Sequence, residues 1–417
     1  MSKISRALET YLPHELFGLL GEIGKTAGAR GEAAYLVGGV VRDLLLGQPN
    51  LDLDLVVEGK AIPLARQLAK AKNWGVRTHP RFGTAKLYWK DFSLDLVTAR
   101  SETYGRPGAL PTVKPGTIQD DLFRRDFTIN AMAVHLSPES FGELIDPHGG
   151  QRDLEERLIR ILHRRSFSDD PTRILRALRY EQRLDFRLEQ DTEGLIQRDL
   201  DKLDAVTGER LWHELELILE EECPEKAICR ADELSVLPKL CPALKGDDWL
   251  AGKFTQARRM SDNSLSMPVV YLALLVGRLT EDESEGCVAR LKMPGWAART
   301  VRDTRRLAQS LPALAAPGLR PRGIYHQLER HSAEVIKATA ITSDSLVIQQ
   351  RIDLYLSRLR HVRTSLRGED LQSMGVMPGR KMGQILRAMH DAKLDQEVTS
   401  REEEEAFVRR VLAGGKG

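Results

Sequence analysis

The sequence predicts an α+β protein in two parts, a mixed head of strands and helices followed by an all-α remainder. Three observations carry this. The runs at 33–37, 53–57, 84–89 and 92–97 are short and apolar or alternating, as strands are, and fall in the first third of the chain. Beyond about residue 150 almost every segment repeats leucine at helical spacing. Proline and glycine at 224, 294–295, 317–321 and 378–379 punctuate that second part as short connections.

In order along the head, helices are expected at 14–27, 39–46 and 60–72, between the strands. The stretch "GTAKLYWKDFSLDLVT" reads as a hairpin turning at Trp89–Asp91. The segment from Thr98 to Asp120 is rich in glycine and proline and is expected as a flexible loop. Later helices are expected at 168–183, 209–221, 268–279, 297–310 and 345–361. "REEEEAF" (401–407) reads as the first turns of a solvated helix, acidic where a helix N-terminus favours it.

The bounds are broad. A chain of 417 residues has room for about two to four domains. Its 62 Lys and Arg nearly balance 60 Asp and Glu, so only local clustering can speak about partners. Cys223, Cys229, Cys241 and Cys287 show no CxxC spacing and are expected as reduced thiols. The N-terminus lacks the apolar core of a signal peptide, and no 18-residue apolar run occurs. A cytoplasmic protein with no membrane contact is expected.

Chemistry first shows in "GGVVRDLLLGQPNLDLDLVVEG" (38–59). Residues two apart in a strand share a face, so Asp52 and Asp54 project together while Leu51, Leu53 and Leu55 point away. Like charges side by side are unfavourable. A divalent cation removes the conflict, and Mg²⁺ takes carboxylate and phosphate oxygens. A solvated acidic strand is the alternative for this pair by itself. Upstream, Gly38 and Gly39 join a strand to a helix, where backbone N–H groups can approach a phosphate. Arg42, one turn later, could reach the same anion. No GK[ST] follows, so this is not a P-loop.

The segment resembles the signature of the class II tRNA nucleotidyltransferase and bacterial poly(A) polymerase family, whose head is polymerase-β-like. The likeness continues in "DDLFRRDFTINAMAV" (120–134), "IDPHGGQRDLEERLIRIL" (145–162), "FSDDPTRILRALRYEQRLDF" (167–186) and "GERLWHEL" (208–215). It implies a head at 1–147, a helical neck at 148–220, a body at 221–330 and an RNA-binding tail at 331–417. It also implies that Arg125 contacts nucleotide and that Asp126 approaches the sugar. Arg is a charged fork suited to phosphate, and Asp an acceptor suited to hydroxyls. A third carboxylate usual in the superfamily is matched by Asp95, for which an ordinary hairpin aspartate is the alternative.

In "DDPTRILRALRY", Pro171 suits a first helical turn with Ser168 or Asp169 as cap, and Asp170, Arg173, Arg176 and Arg179 form a drifting stripe. A solvated basic face is the alternative. Cytosine and adenine each present an amino donor beside a ring-nitrogen acceptor, whereas uracil and guanine present the reverse. An ionised Asp only accepts and an Arg only donates. Asp170 with Arg173 would therefore suit C and A, as the resembling family motif implies, with Arg176 and Arg179 in support. The family's usual Glu is here Asp169. "GERLWHEL" lacks the second histidine of a zinc motif and is expected to support the nucleotide-binding helices.

Basic runs at 289–306 and 351–367 and a glycine-punctuated turn in 368–386 suit RNA phosphate, or solvated helix faces. The reading is template-independent addition of CCA to tRNA from CTP and ATP with Mg²⁺ and no obligate protein partner. Addition of CC alone or of A alone is one alternative. Poly(A) synthesis is another, but "HPRFGTAKLYW" stands where that branch has an arginine-rich stretch. The last is a non-catalytic RNA-binding protein.

Overall fold

Short apolar runs, largely buried in the first two strands and alternating in the fourth and fifth, build a seven-stranded mixed sheet in the computed structural model, which describes residues 3–414 except Asp91 and 261–263. The strands are β1 (Ala33–Val37), β2 (Leu53–Glu58), β3 (Gly75–His79), β4 (Thr84–Trp89), β5 (Phe92–Thr98), β6 (Arg100–Thr103), β7 (Thr112–Pro115), β8 (Ala133–His135) and β9 (Leu144–Ile145). The sheet order is β3-β4-β5-β2-β1-β8-β9, while β6 and β7 pair separately. β2 runs parallel to β5 and antiparallel to β1, which sets Asp54 across from Asp95 on one side and Val37 on the other.

One sheet face buries Leu36, Leu53, Leu55, Leu87, Leu94 and Leu96. Helices α1 (Lys3–Tyr11), α2 (His14–Gly28), α3 (Gly39–Leu45) and α4 (Ala61–Lys72) belong to the same part of the fold, and α4 packs on β4 and β5. On the other face Tyr35, Val37 and Val56 pack with Ile118 and Leu122 of α5 (Ile118–Phe123) and with Ala131 and Ala133. Helices α6 (Gly150–Glu156), α7 (Ser166–Asp169), α8 (Arg173–Arg183), α9 (Gln190–Asp199) and α10 (Gly208–Leu219) follow.

Several expectations are corrected. The helix expected over 168–183 is broken: Asp170 is extended (φ −136°, ψ 96°), and α8 starts only at Arg173, with Thr172 at its N-cap. Residues 98–120 hold the β6–β7 hairpin rather than a bare loop. Asp52 lies ahead of β2, where its N–H bonds the Asn50 side chain at 2.8 Å, so Leu51 is 47% exposed. The turn expected at Trp89–Asp91 joins β4 to β5, with Asp91 outside the described residues.

The chain divides into two units, residues 1–218 with 230–240, and 219–229 with 241–417. The second is helical, with its longest helix at Gly295–Ala315. Cys241 and Cys287 form a disulfide there, which corrects the expectation of four reduced thiols; Cys223 and Cys229 are not disulfide-bonded. The acidic run is only partly solvated. Glu404 is fully buried and accepts from the Ser365 and Leu366 N–H groups and from Lys393, fixing the turn before Leu366 and Leu371 enter the local core. In the basic runs, Arg351 bonds the carbonyls of Leu314 and Ala316, and Arg302 pairs with Glu285 at 2.7 Å. Among the described residues no helix is long and apolar enough to cross a membrane.

Candidate active site

A cavity of about 610 Å³ lies within the first unit, and its lining falls into three bonded groups. The first is Gly38, Gly39, Asp54 and Arg125. Between β1 and α3 the chain turns at Gly38 with φ +79°, and a Cβ there would stand 2.9 Å from the Arg125 guanidinium and 3.8 Å from the Asp54 carboxylate. Only glycine meets both demands. Arg125 pairs with the fully buried Asp121 at 3.2 Å, yet its buried Nε has no partner.

Burial, the neighbouring Asp52 charge and the more distant Asp95 push the Asp54 carboxyl up to about 6, against a pull from Arg125. Asp52 is exposed, and Asp95 is paired with Lys86 at 2.8 Å. Asp54 alone of the three lines the cavity.

The second group centres on Asp126, which is buried and accepts from Arg176 Nε at 3.0 Å and Asn130 Nδ2 at 3.0 Å. Burial opposes ionisation, but the Arg176 charge, the Asn130 bond and Arg173 hold the Asp126 carboxyl down to about 2. Arg176 also faces Glu214 at 3.8 Å. Glu214 Oε2 is buried without a hydrogen-bond partner, and burial raises that carboxyl despite Arg176 and Arg179.

The third group is Asp170, Thr172, Arg173 and Arg210. Asp170 is not ion-paired with Arg173. Its partners are Arg210 at 2.7 Å and the Thr172 hydroxyl at 2.7 Å, both on Oδ1. Oδ2 takes no hydrogen bond among the described residues. Arg173 donates to Ser166 Oγ at 2.7 Å and to the Arg124 carbonyl at 2.6 Å, which leaves three of its five N–H donors. Arg210 also donates to the Gly108 carbonyl at 3.1 Å, tying the β6–β7 hairpin to the base of this wall.

Asp54, Gly38, Gly39, Arg125, Asp126, Asp170, Arg173 and Arg176 are thus brought to one cavity. Arg42 and Arg179 are not in its lining. Arg42 is buried, bonded to Asp43 at 2.7 Å and to Asn130 at 2.8 Å, and lies 5.2 Å over the Tyr180 ring. The Arg179 guanidinium lies 5.0 Å from the centroid of the same ring. The pocket gains residues that sequence reading passed over: Glu102 and Tyr104 from the hairpin, and Glu209, Arg210, His213 and Glu214 from α10. Their spacing in "GERLWHEL", three to four apart, was the available signal of one polar helix face.

Residues 34–160 match the Poly A polymerase head domain, and residues 185–247 match the probable RNA and SrmB-binding site of polymerase A. A CC-adding tRNA nucleotidyltransferase of Deinococcus radiodurans is 33% identical, over 94% of this chain and 93% of that one. The chain belongs to the family of tRNA nucleotidyltransferases and poly(A) polymerases. Another member, an A-adding tRNA nucleotidyltransferase of Geobacter sulfurreducens, is 34% identical over 98% of this chain and 48% of that protein. The chain therefore spans about half the length of that relative. The solved structure of the Thermotoga maritima CCA-adding enzyme complexed with tRNA superposes with a TM-score of 0.77 at 32% identity, covering 99% of this chain and 98% of that one.

The family's reaction class generally uses a divalent metal. Among the described residues no group of three or more His, Cys, Asp or Glu side chains could hold an ion. The donors nonetheless fit one. Asp54 is driven toward protonation by burial and then by the neighbouring Asp52 charge, a charge conflict that a shared cation relieves, and hard oxygen donors suit such an ion.

Proposed function

We propose that the chain adds nucleotides to the 3′ end of tRNA without a template, building CCA from CTP and ATP. The observation that carries this is a single cavity with Asp54 and Arg125 in its lining together with a wall in which Asp170 Oδ2 can accept and Arg173 can donate.

Asp52 and Asp54 would hold Mg²⁺, which when bound neutralises triphosphate charge and acidifies the attacking hydroxyl. Gly38, Gly39 and Arg125 receive the phosphates, and Asp126 faces the ribose. The RNA 3′-oxygen forms a bond to the α-phosphorus while the α–β phosphoanhydride bond breaks. Pyrophosphate leaves with the electron pair, and the hydroxyl proton passes to Asp95. Arg42 acts from behind the cavity by fixing Asn130, which in turn orients Asp126. Arg179 supports the same helix, and the head (1–147) and neck (148–220) supply these parts.

Asp170 and Arg173 select the base, and Arg210 holds Asp170 in place. Replacing Asp170 with Ala is expected to cut discrimination of CTP and ATP over UTP and GTP by about 10²-fold, because a mismatched base no longer leaves a buried charge unpaired. Arg210→Ala should weaken the same discrimination less, since Thr172 still holds Oδ1. Competition assays with labelled nucleotides read both. Gly38→Ala should raise the KM for nucleotide at least about tenfold, through strain at positive φ and displacement of Arg125.

A second reading, addition of A alone or CC alone, is favoured by the names of the Geobacter and Deinococcus relatives. The test supplies tRNA lacking CCA, tRNA ending in CC and complete tRNA with each labelled nucleotide. Addition of C, C and A followed by a stop supports the full activity. Addition to only one of the shortened tRNAs selects the partial one, and long A tracts on unrelated RNA overturn both.

A further inference from the structure

The sheet carries a second polar surface outside the cavity. Register across four strands places Arg77 of β3, Lys86 of β4, Asp95 of β5 and Asp54 of β2 in one lateral row. Cross-strand partners share a face, so these four side chains stand on the same side of the sheet. Their intervening neighbours Ala85, Leu87, Leu94 and Leu96 are buried on the opposite side. With strands 4.7–4.9 Å apart, Lys86 is about 10 Å and Arg77 about 15 Å from the Asp54 position.

Tyr88 lies two residues beyond Lys86 on that face, paired with Ser93, and is 40% exposed. The next aromatic, Trp89, is buried on the other side, stacked on Trp74 at 4.4 Å. Arg77 and Tyr88 make no hydrogen bond or ion pair among the described residues. Lys86 reaches only Asp95, and both side chains are 35% exposed. A pair so open to water adds little to stability. Packing therefore does not require an aromatic ring and two cations here.

We infer that this open face of β3, β4 and β5 binds the unpaired 3′-terminal nucleotides of the RNA acceptor, with Tyr88 stacking a base and Lys86 and Arg77 taking successive backbone phosphates. The inference rests on the RNA-extending reading above. Three things select a single strand of RNA as the occupant. The cations match a phosphate backbone, an exposed ring on a basic surface suits stacked single-stranded bases, and the row runs directly into the carboxylates where the 3′-hydroxyl must arrive. A duplex offers no free base face to Tyr88. Lys86 then has two partners in turn: Asp95 when the surface is empty, and phosphate when RNA is bound.

The test uses the full chain carrying Arg77→Ala or Tyr88→Ala, both at exposed positions. Each is expected to raise the KM for tRNA ending in CC about tenfold while the KM for ATP stays within about twofold and thermal stability is unchanged. Direct binding to the same tRNA across about 50–200 mM salt should show a slope of log affinity on log salt shallower by about 0.7 for Arg77→Ala and unchanged for Tyr88→Ala. Trimming the unpaired nucleotides should weaken the wild type and leave Tyr88→Ala unaffected. Unchanged RNA affinity and slope in both variants, or equal losses for tRNA and ATP, would overturn the assignment. Binding is measured without transfer. A chain that extends no RNA therefore sinks the activity reading alone, and the binding arms still decide this one.

Discussion

Asp54→Asn is expected to abolish nucleotide transfer, by at least about 10³-fold in kcat, and at the same time to make the protein more stable. The first effect follows, on the proposed reading, from removing the one carboxylate of the three that lines the cavity. The second follows from the carboxyl being pushed up to about 6 by burial, Asp52 and Asp95. A folded state that binds a proton more tightly than the unfolded chain loses stability as pH rises through that range. The cost is absent below about pH 4, grows between 4 and 6, and is complete above. A shift of about two units corresponds to roughly 3 kcal/mol at most, and screening of a carboxyl that is partly solvent-facing reduces it to about 1–2 kcal/mol. The Asn variant should therefore melt higher than the wild type at pH 8 and at the same temperature at pH 4. Added Mg²⁺ should raise the wild-type melting temperature more than that of the variant. An Asn variant no more stable at pH 8 would show that burial and the neighbouring carboxylates do not raise the Asp54 carboxyl.

The elements legible in the sequence were those whose neighbours decide their shape. β1 and β2 are short apolar runs and β4 and β5 alternate, and the paired aspartates and the double glycine drew attention to the cavity. β3, "GVRTH", is short, polar and exposed along its length, so no buried face imposes a period upon it. The β6–β7 hairpin hid in a Gly- and Pro-rich stretch because its pairing, from Arg100 across to Pro115, is made by the strands rather than by a tight turn signal. Arg42 was placed correctly along its helix, but its partner Asn130 is 88 residues away, and no local pattern reveals that the two meet. Arg210 is the same kind of omission. It belongs to the cavity wall only because α10 packs where Asp170 interrupts the helix, and that break itself comes from Asp170 Oδ1 bonding the Thr172 N–H and hydroxyl ahead of α8. Helical periodicity over 168–183 could not show it.

Arg176→Ala is expected to destabilise the protein by about 3–5 kcal/mol, because it leaves Asp126 buried without its cation. The pH dependence separates this from lost packing. In the wild type Asp126 is held down to about 2, so its contribution to stability is complete above about pH 4 and is lost as pH falls toward 2. Without Arg176, burial is the dominant influence and raises the carboxyl, so the ionised form becomes a cost at neutral pH. The gap in melting temperature between wild type and variant should thus be widest near pH 7 and narrow steadily toward pH 3, where Asp126 is protonated in the variant and partly so in the wild type. A gap that is constant with pH would assign the loss to packing of the Arg176 stem against Tyr180, whose ring lies 5.7 Å from the guanidinium. The double variant Asp126→Asn with Arg176→Met removes both charges and should recover much of the stability. It should not recover the KM for nucleotide if Asp126 faces the ribose, since Asn offers one acceptor oxygen in place of two and carries no charge. Stability restored without binding restored would place the pair in the nucleotide site; restoration of both would make Asp126 and Arg176 a structural clamp between the head and α8.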